Sequence, residues 1–208
     1  MKGSFITFEG CEGVGKTTQV ERLRDYLART GQRALFLREP GGTVISEKIR
    51  EMLLSKENDR MNGKCEALLY SAARAQLLGE VVAPALENGI NVVCDRFTDS
   101  TFAYQGCARG LGTDFVDELN RLTCGDIVPD VTVFLDLHPK KAFERKGGAD
   151  KNDRLESQSI EFHEKVYEGY KEVARRYPQR FACVDASGDA DTVWNSVIAL
   201  LRERTSVK

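Results

Sequence analysis

Short apolar runs alternate with longer segments of helical period along this chain of 208 residues. Five runs read as strands: SFITFE at 4–9, RALFLRE at 33–39, NVVCD at 91–95, VTVFLD at 131–136 and FACVD at 181–185. Runs so continuously apolar suit strands buried on both faces, as in a parallel sheet covered by helices. The stretches between them predict helices at about 15–30, 44–54, 64–88, 99–109, 113–123, 139–146, 156–177 and 190–204, punctuated by TG, NG, CG and YP. Strand and helix in alternation give the fold class α/β, a three-layer sandwich around a five-stranded parallel sheet flanked by helices. Several strands end in an acidic residue. Ligands of such sheets sit beyond the strands' carboxyl ends, so these polar termini are expected to face one crevice.

Composition narrows the picture. The chain is 41% hydrophobic and shows no repeat, low-complexity tract or linker, so a single domain over 1–208 is expected. Thirty basic against thirty-two acidic residues give a net charge of -2, which argues against a broad cationic surface for nucleic acid or anionic membrane. The six cysteines are scattered without a C-x-x-C, and two histidines do not make zinc-like spacing, so reduced thiols are expected. MKGSFITFEG enters a strand pattern at once, leaving no room for a signal peptide, and no apolar run approaches membrane-spanning length. The expectation is a soluble, cytoplasmic protein.

The candidate chemistry begins at GCEGVGKTT, comprising Gly10, Cys11, Glu12, Gly13, Val14, Gly15, Lys16, Thr17 and Thr18. Gly10, Gly15, Lys16 and Thr17 fit G-x-x-x-x-G-K-[ST] between a strand and a helix, the context that a P-loop NTPase requires. Bare glycines let successive amides and the helix N-terminus point at phosphate oxygens, Lys16 adds a point charge, and Thr17 offers a hydroxyl to Mg²⁺. A glycine-rich turn without a ligand is the alternative. Glu9 and Glu12 stand in or beside this anion-binding loop, a costly place for negative charge unless it faces a metal or a substrate hydroxyl.

P-loops serve switches, motors and kinases. No N-K-x-D guanine-reading motif follows a strand, and DKND at 150–153 only scrambles those letters. After the third strand comes DRFTDSTFAYQGCARG, crowded with polar, basic and aromatic groups suited to a small second substrate. Asp95 closes the strand where a Mg²⁺-coordinating or proton-accepting carboxylate belongs, and Arg96 follows it into the same crevice. A surface ion pair is the other reading of these two residues. An ATPase coupled to a macromolecular partner, a nucleotide-sensing module and a kinase of another nucleoside monophosphate stay open at this level.

FEGCEGVGKTTQ (8–19), REPGGT (38–43), LLYSAARAQ (68–76), DRFTDSTFAYQGCARG (95–110), NDRLE (152–156) and FHEKVYEGY (162–170) resemble thymidylate kinase, in that family's order and at its spacing. The resemblance implies transfer of the γ-phosphoryl of ATP to dTMP with Mg²⁺ held by Thr17 and Asp95, on a five-stranded P-loop fold that assembles as a homodimer. It also implies that Arg38 and Arg96 hold the dTMP phosphate and that Tyr70 and Arg74, four apart on one helical face, stack the thymine ring and bond its edge. By the same resemblance Ser100, Tyr104 and Gln105 meet base and sugar, Tyr104 lies near C2′, and Glu12 lies near the 3′-hydroxyl or the metal.

Some thymidylate kinases carry an arginine inside the P-loop where this chain has Gly13. A transition state that spreads charge over three γ-oxygens still wants a guanidinium, and the basic supply left is ERKGGADKNDRLE at 144–156, which resembles the mobile lid of the bacterial-type enzymes. Its candidates are Arg145, Lys146, Lys151 and Arg154, with Arg154 expected first and Arg145 second. Gly147 and Gly148 give the segment freedom to travel.

Overall fold

The computed structural model describes residues 2–148 and 153–207. Strands form at the five predicted places: β1 (Phe5–Glu9), β2 (Ala34–Arg38), β3 (Asn91–Asp95), β4 (Val131–Asp136) and β5 (Phe181–Asp185). They pair in the order β2-β3-β1-β4-β5, all parallel. Alternation along β1 divides its side chains between two cores. Phe5 packs with Leu77, Leu78, Leu86 and Phe97, whereas Ile6 and Phe8 join Val133, Leu135, Tyr170 and Val197 on the other face. The chain order reverses at β1, which has β3 on one side and β4 on the other, and this opens the crevice where such sheets bind ligands.

The helices are α1 (Lys16–Arg29), α2 (Val44–Leu54), α3 (Gly63–Leu77), α4 (Ala83–Glu87), α5 (Thr98–Thr101), α6 (Thr113–Cys124), α7 (Pro139–Lys146), α8 (Ile160–Arg176) and α9 (Ala190–Arg204). The predicted helix 64–88 is α3 and α4 joined by a wider π-helical turn, Leu78–Val82, and the predicted helix 99–109 is α5 continued as a π-helical stretch, Phe102–Ala108. Helix α8 lies directly on that stretch because Gly169 has no side chain there. A Cβ at Gly169 would stand 2.8 Å from the Cα of Ala103.

One boundary departs from expectation. The helix predicted from 156 starts only at Ile160, where Ser159 caps it by accepting from the Phe162 amide. Residues just before it form a turn in which the Asp153 carboxylate accepts from the amides of Leu155 and Glu156. Short polar side chains here offer the backbone partners that compete with helix continuation.

Candidate active site

The loop between β1 and α1 turns on Gly10, Gly13 and Gly15, with φ of 143°, 77° and 96°. Gly15 occupies the N-cap of α1, a place filled by Thr43, Asn62, Ser159 and Asp189 at α2, α3, α8 and α9. The first turn of α1 therefore has no capping side chain and no acidic residue. Its amides remain available to an outside anion. Lys16 is buried, its Nζ donating to the carbonyls of Gly10 and Cys11 at 3.1 and 2.9 Å. Burial pushes the Cys11 thiol up to about 12, so it packs beside Val14 as an apolar group.

Glu12, Gly13, Gly15, Lys16, Thr17 and Thr18 line a cavity of about 580 Å³, while Gly10, Cys11 and Val14 support the loop without lining it. The same cavity is lined by Arg38, Arg50, Asp95 and Arg96. Arg96 is the one non-glycine residue with positive φ, 72°, among the described residues. Such a backbone is costly and persists only where its surroundings enforce it. Here the enforcing group is Glu9. It is fully buried, and its Oε1 accepts from the amides of Phe97 and Ser100 at 2.7 and 3.2 Å, while Oε2 accepts from Ser100 Oγ and Tyr170 Oη at 2.6 and 2.8 Å.

The guanidinium of Arg96 donates to the Gly10 carbonyl, Ser100 Oγ and Tyr170 Oη, and forms an ion pair with Glu12. Burial opposes charge on Glu12, but Arg96, Lys16 and Lys146 outweigh it and hold that carboxyl down at about 2. Glu9 braces the strained start of α5 and does not line the cavity. Asp136 and Asp185 also leave the predicted common crevice. Asp136 accepts from Tyr167 and Lys171, and Asp185 from the Ser187 amide, because their strands lie beyond β1 on the side away from β3.

Arg38 pairs with Glu47 at 2.9 Å and donates to the Pro40 carbonyl, which Arg50 also reaches at 2.9 Å. The Glu39–Pro40 peptide is cis. Burial, and then the charge of Arg38, lower the Arg50 guanidinium from its ordinary value, as expected of two cations brought to one wall. Sequence reasoning missed Arg50. Its only signal was its place on the same helix as Glu47, three residues on.

Tyr70, Arg74, Ser100, Tyr104 and Gln105 all reach the cavity. Arg74 is buried and spends four N–H groups on Glu39, Asn120, Phe97 and Thr101, which leaves one of its five for a ligand. Ser100 lines the cavity while its Oγ donates to Glu9 and is hydrogen-bonded to Tyr170 Oη. The Tyr104 hydroxyl is buried without a hydrogen-bond partner among the described residues, and its ring centroid lies 5.3 Å from the Arg96 guanidinium carbon.

Lys151 lies outside the described residues. Lys146 lines the cavity and pairs with Glu156. Arg145 also lines it, its guanidinium donating to the carbonyls of Ala186 and Ser187 in the loop after β5. Arg154, the first of the lid candidates, lies apart from the cavity. It is buried, paired with Glu66 at 2.7 Å and bonded to the Leu53 carbonyl, and it does not line the cavity. A fully buried carboxylate offers a guanidinium more than solvent can, so this arginine anchors the end of the lid segment. Gly13 has its own reason. A Cβ there would stand 2.5 Å from the Ala142 carbonyl oxygen, so α7 packs where a P-loop side chain would start.

A model of the family described as thymidylate kinase matches residues 8–197. The chain belongs to the thymidylate kinase family. Curated members include the thymidylate kinases of Bacillus licheniformis, 47% identical over 205 residues, and Bacillus velezensis, 46% identical over 205; each comparison covers 98% of this chain and 97% of the relative. That of Thermoanaerobacter pseudethanolicus is 44% identical over 203 residues, covering 98% of this chain and 99% of its own.

Proposed function

We propose that this protein transfers the γ-phosphoryl group of ATP to dTMP, yielding dTDP and ADP. The carrying observation is one cavity in which an uncapped helix N-terminus and Lys16 meet Arg38, Arg50, Arg96 and Asp95. The first set suits the phosphates of a donor. The arginines suit the phosphate of an acceptor, held by guanidinium forks and not by a point charge.

In the reaction a phosphate oxygen of dTMP attacks the γ-phosphorus as the bond to the β,γ-bridging oxygen breaks, and ADP leaves with that electron pair. Arg38, Arg50 and Arg96 orient the attacking oxygen, while Lys16 and the α1 amides stabilise charge on the γ-oxygens and leaving group. Glu12, kept ionised by Arg96, braces that arginine. Arg145 and Lys146 bring cationic charge from the lid side.

Asp95 and Thr17 fit Mg²⁺. Asp95 Oδ1 is buried without a partner among the described residues, and exposed Thr17 lines the same cavity. Among the described residues no group of three or more His, Cys, Asp or Glu is placed to hold a metal. When bound, Mg²⁺ supplies charge neutralisation on the β- and γ-oxygens.

The test is to incubate the protein with Mg·ATP and each nucleoside monophosphate and to assay ADP. Turnover should depend on the acceptor and favour dTMP. A purine preference would overturn the thymidylate reading but spare the kinase; equal turnover without any monophosphate would overturn both. Tyr104→Ala is expected to relax discrimination against ribo-TMP, since removing a buried ring opens room in the wall, and an unchanged ribo/deoxy ratio of kcat/KM would make Tyr104 structural.

A homodimer belongs to this proposal. Helix α3 packs between α2 and α6, and the three expose Val44, Ile45, Met52, Leu68 and Leu122, a surface that a second copy would cover. Light scattering should give about twice the mass of one chain; a monomer at all concentrations removes this element. Cytoplasmic location is proposed too, from cysteines that are all free, to be checked by fractionation for protein outside that compartment. No helix among the described residues is long and apolar enough to cross a membrane.

A further inference from the structure

Glu66 of α3 is fully buried and accepts from three side chains. Its Oε2 takes Arg154 Nη1 at 2.7 Å and Arg109 Nη2 at 3.2 Å. Its Oε1 takes Arg109 Nε at 3.2 Å and the side-chain amide nitrogen of Gln105 at 2.9 Å. Burial works against the charge, yet the hydrogen bonds from Gln105 and Arg109 and the charges of Arg109 and Arg154 hold the Glu66 carboxyl below its ordinary value. An ionised carboxylate only accepts hydrogen bonds.

That restriction acts on Gln105. An amide side chain has a donating and an accepting side, and nothing in its shape prevents it from turning over. Against a buried carboxylate it cannot turn, because carbonyl oxygen would then face carboxylate oxygen. The nitrogen is therefore pinned to Glu66. No hydrogen bond from the described residues reaches the Gln105 amide oxygen, and Gln105 lines the cavity alongside Tyr70, Arg74 and Tyr104.

We propose that Glu66 is a positioning residue that sets base specificity: by fixing the amide of Gln105 it presents an acceptor to the base, which selects a pyrimidine bearing an N3–H donor over cytosine, whose N3 is a bare lone pair. The inference rests on the dTMP kinase reading above. Thymine and uracil share the N3–H, so Glu66 does not separate those two. A site that commits a buried polar group to one partner rejects the mismatched one by leaving both groups unpaired.

The experiment compares kcat/KM for dTMP and dCMP in the wild type, Glu66→Gln and Arg154→Met. Glu66→Gln keeps shape but can donate as well as accept, so Gln105 gains freedom to turn over. The dTMP/dCMP ratio should fall at least about tenfold, in the range a lost hydrogen-bond discrimination gives. Arg154→Met removes the lid anchor but leaves the Gln105 contact, so its ratio should stay at the wild-type value whatever happens to kcat. If Glu66→Gln alone does not fold, Glu66→Gln/Arg154→Met deletes one charge of each sign and carries the test. An unchanged ratio in either folded Glu66 variant overturns the proposal, as does an equal fall in Arg154→Met, which would mean general loosening. A wild type indifferent to dTMP and dCMP would instead remove the thymidylate reading beneath it.

Discussion

Lys16→Ala should lower kcat by about 10²–10³ while the equilibrium affinity for dTMP changes only a few-fold, because its ammonium acts on charge that develops as the γ-phosphoryl leaves. Lys16 Nζ is held by the Gly10 and Cys11 carbonyls, so the loop already points it at the cavity. Steady-state kinetics with ATP and dTMP varied, joined to a dTMP titration at equilibrium, separates the two quantities. The sheet should survive, since apolar strand residues such as Ile6 and Phe8 form its core. Should kcat remain within tenfold of wild type, Lys16 is a structural tie of the loop and its assigned role is wrong.

Asp95→Ala is expected to cost comparable turnover and to leave the thermal midpoint equal or higher. Among the described residues its Oδ1 is buried without a hydrogen-bond partner, an expensive arrangement that no folding requirement explains. Removing such a group relieves an uncompensated desolvation, whereas removing a group that holds the fold together does the reverse. Loss of a metal ligand or proton acceptor lowers kcat by about 10²–10⁴. The paired measurement is kcat beside the melting midpoint. A midpoint lowered in step with activity would show Asp95 to be a structural carboxylate at the end of β3.

Arg96 and Asp95 could be read from the sequence because their signal is local: a strand ends, and chemistry-bearing residues follow it. The same holds for Gly15, whose place between a strand and a helix foretold an uncapped N-terminus, and for all five strands, whose continuous apolar runs follow from burial on both faces. Turn chemistry limited the precision at 156, where Asp153 and Ser159 delay the helix by hydrogen bonds of their own.

What the sequence by itself determined was the fold class, the P-loop motif, and the residues after the first and third strands that line the cavity, with the aromatic and amide residues of its wall, all set by periodicity and by residues near one another in the chain. Only the tertiary structure decided which charges meet. Glu9 was drawn to the backbone after β3 and out of the cavity lining, Arg50 was brought beside Arg38, Gly13 was pressed against Ala142, and Arg154 was buried against Glu66 from the other half of the chain. The reason is physical. A buried ion pair is chosen by which partners packing brings within about 3 Å, where its energy is steep in distance and in local dielectric, and no spacing along the chain encodes that approach.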